Sequence, residues 1–293
     1  MFQRVHEYSG VVFMRMLLRG ISQIYLLSSG RAGALLLGAV AWQSWPLAGA
    51  CLLGALAGTL WALSIGDIAG SRAGLNGYNG ALAGLGVMAV LPPGWLAWSL
   101  VAPLAVLATW MAHAWRCRSA VPPYTAPFVL VTWLLMAVAS GLGLPGVAAA
   151  AAVEVPWNSA VLSLVRGVGQ VMFLDDPWAG ALCVLGLALG APAAALSAVL
   201  ASGLCFLAAG LAGFPADAAL LGLYGFNAVL TAEALRPVRA GNWLWPCLGV
   251  LLSLGLMRGF QWLELPSLTA PFLLATWAAR WAAQECRRQA RTA

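Results

Sequence analysis

The chain contains itself twice. RGISQIYLLSSGRAGAL at 19–35 aligns with RGVGQVMFLDDPWAGAL at 166–182, sharing 8 of 17 positions at an offset of 147. GLNGYNGAL at 74–82 aligns with GLYGFNAVL at 222–230, and VPPYTAPFVLVTW at 121–133 with LPSLTAPFLLATW at 265–277. Three blocks recurring in one order mark a duplicated unit, so whatever fold the first half adopts, the second must repeat and then pack against.

The solvent of that fold is lipid. Of 293 residues 62% are hydrophobic and 8% charged, where a soluble domain carries about a quarter charged residues. Apolar stretches of the length a bilayer demands, about 20 residues, follow one another from 32 to 285. Turn signals divide them into 32–46, 47–66, 75–92, 94–115 and 121–143 in the first unit, and 177–193, 194–213, 217–235, 242–258 and 265–285 in the second. Five is odd, so the second unit enters the membrane upside down relative to the first, the inverted-repeat plan.

The arginines test this orientation, because positive charge accumulates in cytoplasmic loops. All 15 basic residues are arginine. With the N-terminus inside, Arg31, Arg72, Arg116, Arg118, Arg236, Arg239, Arg280, Arg287, Arg288 and Arg291 fall on the cytoplasmic side and Arg258 outside. Arg116 and Arg118 precede one TAPF block while Glu264 precedes the other, as opposite faces require. The formal charge of +6 does not indicate nucleic-acid binding, since the arginines are scattered between apolar spans rather than gathered into a patch.

Before each set of five lies a segment that does not suit a span. Residues 11–27 carry Arg15 and Arg19; residues 161–174 carry Arg166 and precede Asp175 and Asp176. A centred arginine costs at least about 2.5 kcal/mol. An interfacial amphipathic helix is one solution, and a re-entrant half-helix from each face, meeting at the midplane, is the other. The recurrence of Gln23 and Gln170 favours the second.

Polar groups kept within apolar spans need partners, and three pairs recur: Gln23 and Gln170, Asn79 and Asn227, Thr125 and Thr269. Under a pseudo-twofold axis each pair would sit at mirrored depths, as the lining of a symmetric pore would. Each also has a structural alternative: a membrane threonine can bond its own helix, and an Asn beside Gly can cap a broken one. Tyr78 and Phe226 precede the asparagines, Phe128 and Phe272 follow the threonines, and Phe173 lies three after Gln170; packing is the ordinary role of such rings. His6 lies in the tail and His113 near a span's cytoplasmic end. With no carboxylate or lysine in mid-span, energy coupling and a charged permeant are not expected.

Cys51, Cys117, Cys183, Cys205, Cys247 and Cys286 stand singly, without metal-ligand spacing, and are read as buried free thiols. No metal or cofactor is expected, and MFQRVHEYSG does not have the form of a cleaved signal peptide. The organisation expected is an all-α integral membrane protein of ten transmembrane helices plus two re-entrant half-helices, with inverted repeats over 1–147 and 148–293.

Taken together, GLNGYNGALAGL, GLYGFNAVL, VPPYTAPF, LPSLTAPF and RGVGQV closely resemble the urea transporter family, in order and over both halves. The resemblance implies a homotrimer, each subunit carrying its own pore between its repeats; the expected setting is the plasma (inner) membrane, with both termini cytoplasmic as the arginines indicate. The family's pore is a narrow slot walled by aromatic and aliphatic side chains with oxygen acceptors along one edge. It places Gln23 and Gln170 on the half-helices with Ile24 and Val171 beside them, Thr125 and Thr269 at the constriction, and Tyr78, Leu82, Phe226 and Leu230 in the walls. Phe173 matches a slot phenylalanine. Leu26 stands at its first-half equivalent and Tyr78 where phenylalanine is the pattern, so one mouth is less aromatic and the narrow region more polar.

That resemblance implies a passive urea channel, with urea and membrane lipid as partners. Urea is planar and neutral, and stripping its water costs several kcal/mol unless its N–H groups are re-bonded. Another small neutral solute, such as a short amide, water or ammonia, is the alternative. An enzyme is not expected, because no His, Cys or carboxylate set recurs at catalytic spacing.

Overall fold

Small polar residues and prolines cut the apolar chain into helices. Ser29 Oγ accepts from the Ala32 amide, Ser44 from Leu47, Asp67 from Gly70 and Asp176 from Ala179, each capping a helix start. Among the described residues proline stands in the first two positions of five helices, where its missing N–H is no loss. The computed structural model describes residues 10–146, 159–237 and 243–292. Among these every regular element is helical. The expected unit boundary at 147/148, His6, Arg239 and the first residue of the 242–258 span lie outside the described residues.

The first half runs α1 (Gly10–Ser22), α2 (Gly30–Gln43), α3 (Trp45–Ser64), α4 (Ile68–Ala73), α5 (Tyr78–Val90), α6 (Trp95–Arg118) and α7 (Ala126–Gly141). The second repeats the order: α8 (Ala160–Gly169), α9 (Pro177–Gly190), α10 (Pro192–Leu211), α11 (Ala216–Leu220), α12 (Phe226–Leu235), α13 (Leu244–Trp262) and α14 (Ala270–Thr292).

Helices α3, α6, α10 and α13 are long and apolar enough to cross a bilayer, and the α1–α2 and α8–α9 pairs, bent by 74° and 76°, raise the number to six if each is one span. The chain is an integral membrane protein. Its exposed face carries leucines along α10 and α13, and tryptophans cluster at helix ends: Trp42, Trp45, Trp95, Trp178, Trp243 and Trp262. Tryptophan favours the interface between hydrocarbon and headgroups.

Two expectations change. The continuous span at 217–235 is broken into α11 and α12, because Gly222 takes a left-handed φ of 77° and closes α11 with bonds from Gly222 N to Ala219 O and Leu223 N to Ala218 O. Of the six cysteines, Cys51, Cys183 and Cys205 are buried but Cys117, Cys247 and Cys286 are exposed. The exposed ones sit in terminal turns of α6 and α13 and in the outer part of α14, beyond the packed middle of the helices.

The halves meet along α2 and α9. The tips of the bent pairs also touch: Tyr25 donates from its hydroxyl to Val168 O at 2.7 Å, fully buried. One hydrophobic core runs through both halves and contains Ile24, Tyr78, Leu82, Val171, Phe226 and Leu230.

Candidate functional site

Each recurring block forms one part of a joint, and the joint occurs twice. Helix α1 ends in a 3₁₀ turn, Gln23–Tyr25, and α8 in Gln170–Met172. Leu26 and Phe173 follow with φ of 59° and 63°. A side chain in that region costs about 1–2 kcal/mol. Both ends carry the same closing bonds: Leu26 N to Gln23 O and Leu27 N to Ser22 O, Phe173 N to Gln170 O and Leu174 N to Gly169 O.

The Arg-Gly-x-x-Gln signature now has a physical meaning. Arg19 donates to Arg72 O at 2.9 Å and Gln23 to Ala73 O at 2.9 Å. Arg166 donates to Leu220 O at 3.2 Å and Gln170 to Leu221 O at 3.1 Å. In each half arginine and glutamine, one helical turn apart, hold successive carbonyls at the end of α4 or α11. The glycine between them is required by contact: a Cβ on Gly20 would lie 3.0 Å from Gly77 Cα, and one on Gly167 3.2 Å from Gly225 Cα. Arg19 and Arg166, two of the three arginines that argued against a span, therefore find partners on the protein backbone. With one amide N–H engaged, each glutamine still offers its carbonyl oxygen.

The asparagines join the second block to the third. Asn79 donates to Tyr124 O at 3.1 Å and accepts from Phe128 N at 3.2 Å. Asn227 donates to Leu268 O at 3.2 Å and accepts from Phe272 N at 3.0 Å. They hold the turns that start α7 and α14, where Tyr124 and Leu268 take φ of 45° and 44°. Tyr78 adds a bond of 2.6 Å from its hydroxyl to Tyr124 O; Phe226, its counterpart, has no hydroxyl to do so.

The two joints meet at Thr125 and Thr269, whose hydroxyls are 2.7 Å apart and buried. Around this pair the halves exchange equivalent bonds: Trp133 Nε1 donates to Pro266 O at 2.8 Å and Trp277 Nε1 to Pro122 O at 3.0 Å. Each indole is stacked, Trp133 on Phe260 and Trp277 on Trp115. Reciprocal contacts of this kind are the mark of a two-fold relation.

Beside Thr269 lies a cavity of about 170 Å³ lined by Phe128, Gln170, Val171, Phe173, Leu223, Phe226, Met257, Ser267, Leu268 and Thr269. One water needs about 10–15 Å³ of such space, so a small solute has room. Phe128 meets Phe173 edge to face at 6.2 Å. Of the residues expected in a pore, Gln170, Val171, Phe173, Phe226 and Thr269 line this cavity, and Thr125 reaches it through the hydroxyl bond. Gln23, Ile24, Leu26, Tyr78, Leu82 and Leu230 do not line it. Ile24, Leu82 and Leu230 are packed in the core at 0–1% exposure, and Leu26 packs against it.

Four lining residues were not singled out from sequence. Ser267 and Leu268 precede the second TAPF, so the alignment with Pro123 and Tyr124 could have found them. Leu223 lies inside the second block. Met257 carries no signal, since no polar or aromatic counterpart repeats in the first half.

A profile described as urea transporter matches residues 14–284. Urea transporter 1 of Ovis aries is 28% identical over 289 residues, covering 90% of this chain and 75% of the relative. Urea transporter 1 of Capra hircus matches to the same extent. Urea transporter 1 of Rattus norvegicus is 29% identical over 243 residues, covering 76% of this chain and 62% of its own.

Proposed function

The chain belongs to the urea transporter family, and from that premise we propose that it conducts urea passively through a pore between its two halves. It is a transporter rather than an enzyme. The pore runs past the Thr125–Thr269 pair, with Phe128 of the first half and Phe173 and Phe226 of the second as flat walls on the cavity side and the packed Ile24, Tyr78 and Leu82 on the other. The halves are inverted repeats of five spans each with a half-helix apiece, both termini cytoplasmic in the inner membrane, and three subunits assemble.

The observation that carries this reading is the buried threonine pair at the junction of all three repeated blocks, beside a phenylalanine-lined cavity. A hydroxyl bond contributes about 1 kcal/mol net, so an arriving N–H can displace it at small cost. The carbonyl oxygen of Gln170 offers a second acceptor nearby. Apolar walls cannot replace the hydration of an ion, which is therefore rejected.

Stopped-flow shrinkage of liposomes holding the purified protein tests the proposal. Urea flux is expected to exceed that of empty liposomes and to fall about tenfold or more in Thr125→Ile and Thr269→Ile protein that remains folded, the equivalent of about 1.4 kcal/mol. Equal flux with and without protein overturns it. Acetamide and ammonium gradients in the same vesicles identify another permeant.

A further inference from the structure

A second, larger cavity shares no lining residue with the one beside Thr269. It lies between α12, α13 and α14, encloses about 720 Å³, and is lined by Arg236, Arg280, Arg287, Gln284, Trp245 and, on its floor, small apolar residues including Ala279. The matching corner of the first half is filled. There Met88, Leu91, Val101 and Leu135 are buried together. Met88 occupies the register of Arg236 and Leu135 that of Ala279, 148 and 144 residues earlier. Where the first half has leucine the second has the smaller alanine, which leaves space, and where the first has methionine the second has arginine, which brings charge.

Among the described residues the charges are only partly matched. Glu233 approaches Arg236 at 3.5 Å but also takes a hydrogen bond from Ser197. Arg280 donates to the Tyr124 hydroxyl at 2.7 Å, a neutral partner. A guanidinium has five donors, so three converging on one cavity exceed what a single carboxylate and a phenol accept. The cavity size is that of a ligand pocket. Its rim is cationic, its floor apolar, and Trp245 stands at its edge.

We infer that this cavity binds an anionic phosphate group, with a phospholipid headgroup as its source: oxygens on Arg236, Arg280 and Arg287, and the first carbons on the alanine floor. Basic pockets between membrane helices take such headgroups. The side of the membrane it faces rests on the topology proposed above; the site itself does not.

Native mass spectrometry of the purified protein with equal phosphatidylglycerol and phosphatidylcholine tests it. Phosphatidylglycerol is expected to be preferred by about fivefold for each arginine engaged, which corresponds to about 1 kcal/mol apiece. The preference should collapse in Arg236→Gln/Arg287→Gln protein and persist in Arg118→Gln, a control on the same face. Ala279→Leu, which restores the first half's side chain, should exclude the lipid; the arginine variants stand alone if it does not fold. Displacement of the lipid by millimolar inorganic phosphate would also support the site and make free phosphate its ligand, while retention assigns it to lipid. Equal occupancy by the two lipids, or equal loss of preference in Arg118→Gln, would overturn the inference.

Discussion

Asp67 and Phe214 stand 147 residues apart at the same turn of the two halves, and their surroundings differ completely. Asp67 caps α4 through the Gly70 amide at 2.9 Å and accepts from Asn76 at 3.0 Å. His113 Nδ1 lies 3.1 Å from its carboxylate and Arg116 3.5 Å. At the matching positions of the second half are Phe214, Tyr224, Arg258 and Gln261. Phe214 packs on Tyr224 at 5.5 Å, Arg258 lies over the Phe214 ring at 5.5 Å, and Tyr224 donates to Gln261 at 3.0 Å. One corner is ionic and the other aromatic, yet both run through a short helix to a glycine in the left-handed region, Gly74 at φ of 84° and Gly222 at 77°. The geometry is therefore set by the arginine, glutamine and asparagine bonds of the repeated blocks, and the corner beyond them is free to change chemistry.

Arg116→Ala should separate the corners most widely. It strips partners from the half-buried Asp67 and from Asn76, so it is expected to cost about 1.5–3 kcal/mol, the range for hydrogen bonds to charged groups. Arg258→Ala removes a cation over a ring and should cost only about 0.5–1 kcal/mol. Thermal unfolding of the two variants in one detergent measures the difference; equal losses would mean the ionic corner is no stronger than the aromatic one.

Asp67→Ala should be about 1 kcal/mol less stable than Asp67→Asn, since asparagine caps a helix about as well as aspartate and alanine does not. Acid then sharpens the contrast. Burial pushes the Asp67 carboxyl up, but bonds from Asn76, the Gly70 amide and His113, with the charge of Arg116, outweigh it and hold the group below its ordinary 3.8. A depressed carboxylate stabilises the fold above its unfolded value and loses that contribution as pH falls through the folded one. The stability gap between the unaltered protein and Asp67→Asn should therefore narrow below about pH 4, while Phe214→Leu shows no such dependence on pH.

The blocks that mattered were visible in the sequence because they recur, but what their residues do was only partly so. Asn79 and Asn227, read as possible caps, do hold helix starts, though those of α7 and α14 rather than their own. Gln23 and Gln170 suggested a lining, and the structure also gives them carbonyls to hold. Short-range signals such as Arg19 and Arg166 within apolar runs, and the prolines, are written in consecutive residues, so segments unsuited to a straight span and helix starts could be anticipated. The meeting of Met257 with Gln170, or of Tyr25 with Val168, depends on how distant helices cross, and no local pattern carries that. The break in 217–235 was hidden because GLYGFN lay inside an otherwise continuous apolar run.

The paired indole bonds from Trp133 to Pro266 and from Trp277 to Pro122 bear on kinetics. A carrier that rocks its halves to open alternately would have to break and remake both latches in every cycle, each about 1 kcal/mol, and unstack two aromatic pairs as it did so. On the channel reading proposed above, halves latched twice stand still. Tracer urea entering vesicles should then be indifferent to unlabelled urea waiting inside, with none of the trans-acceleration that a shuttling site produces.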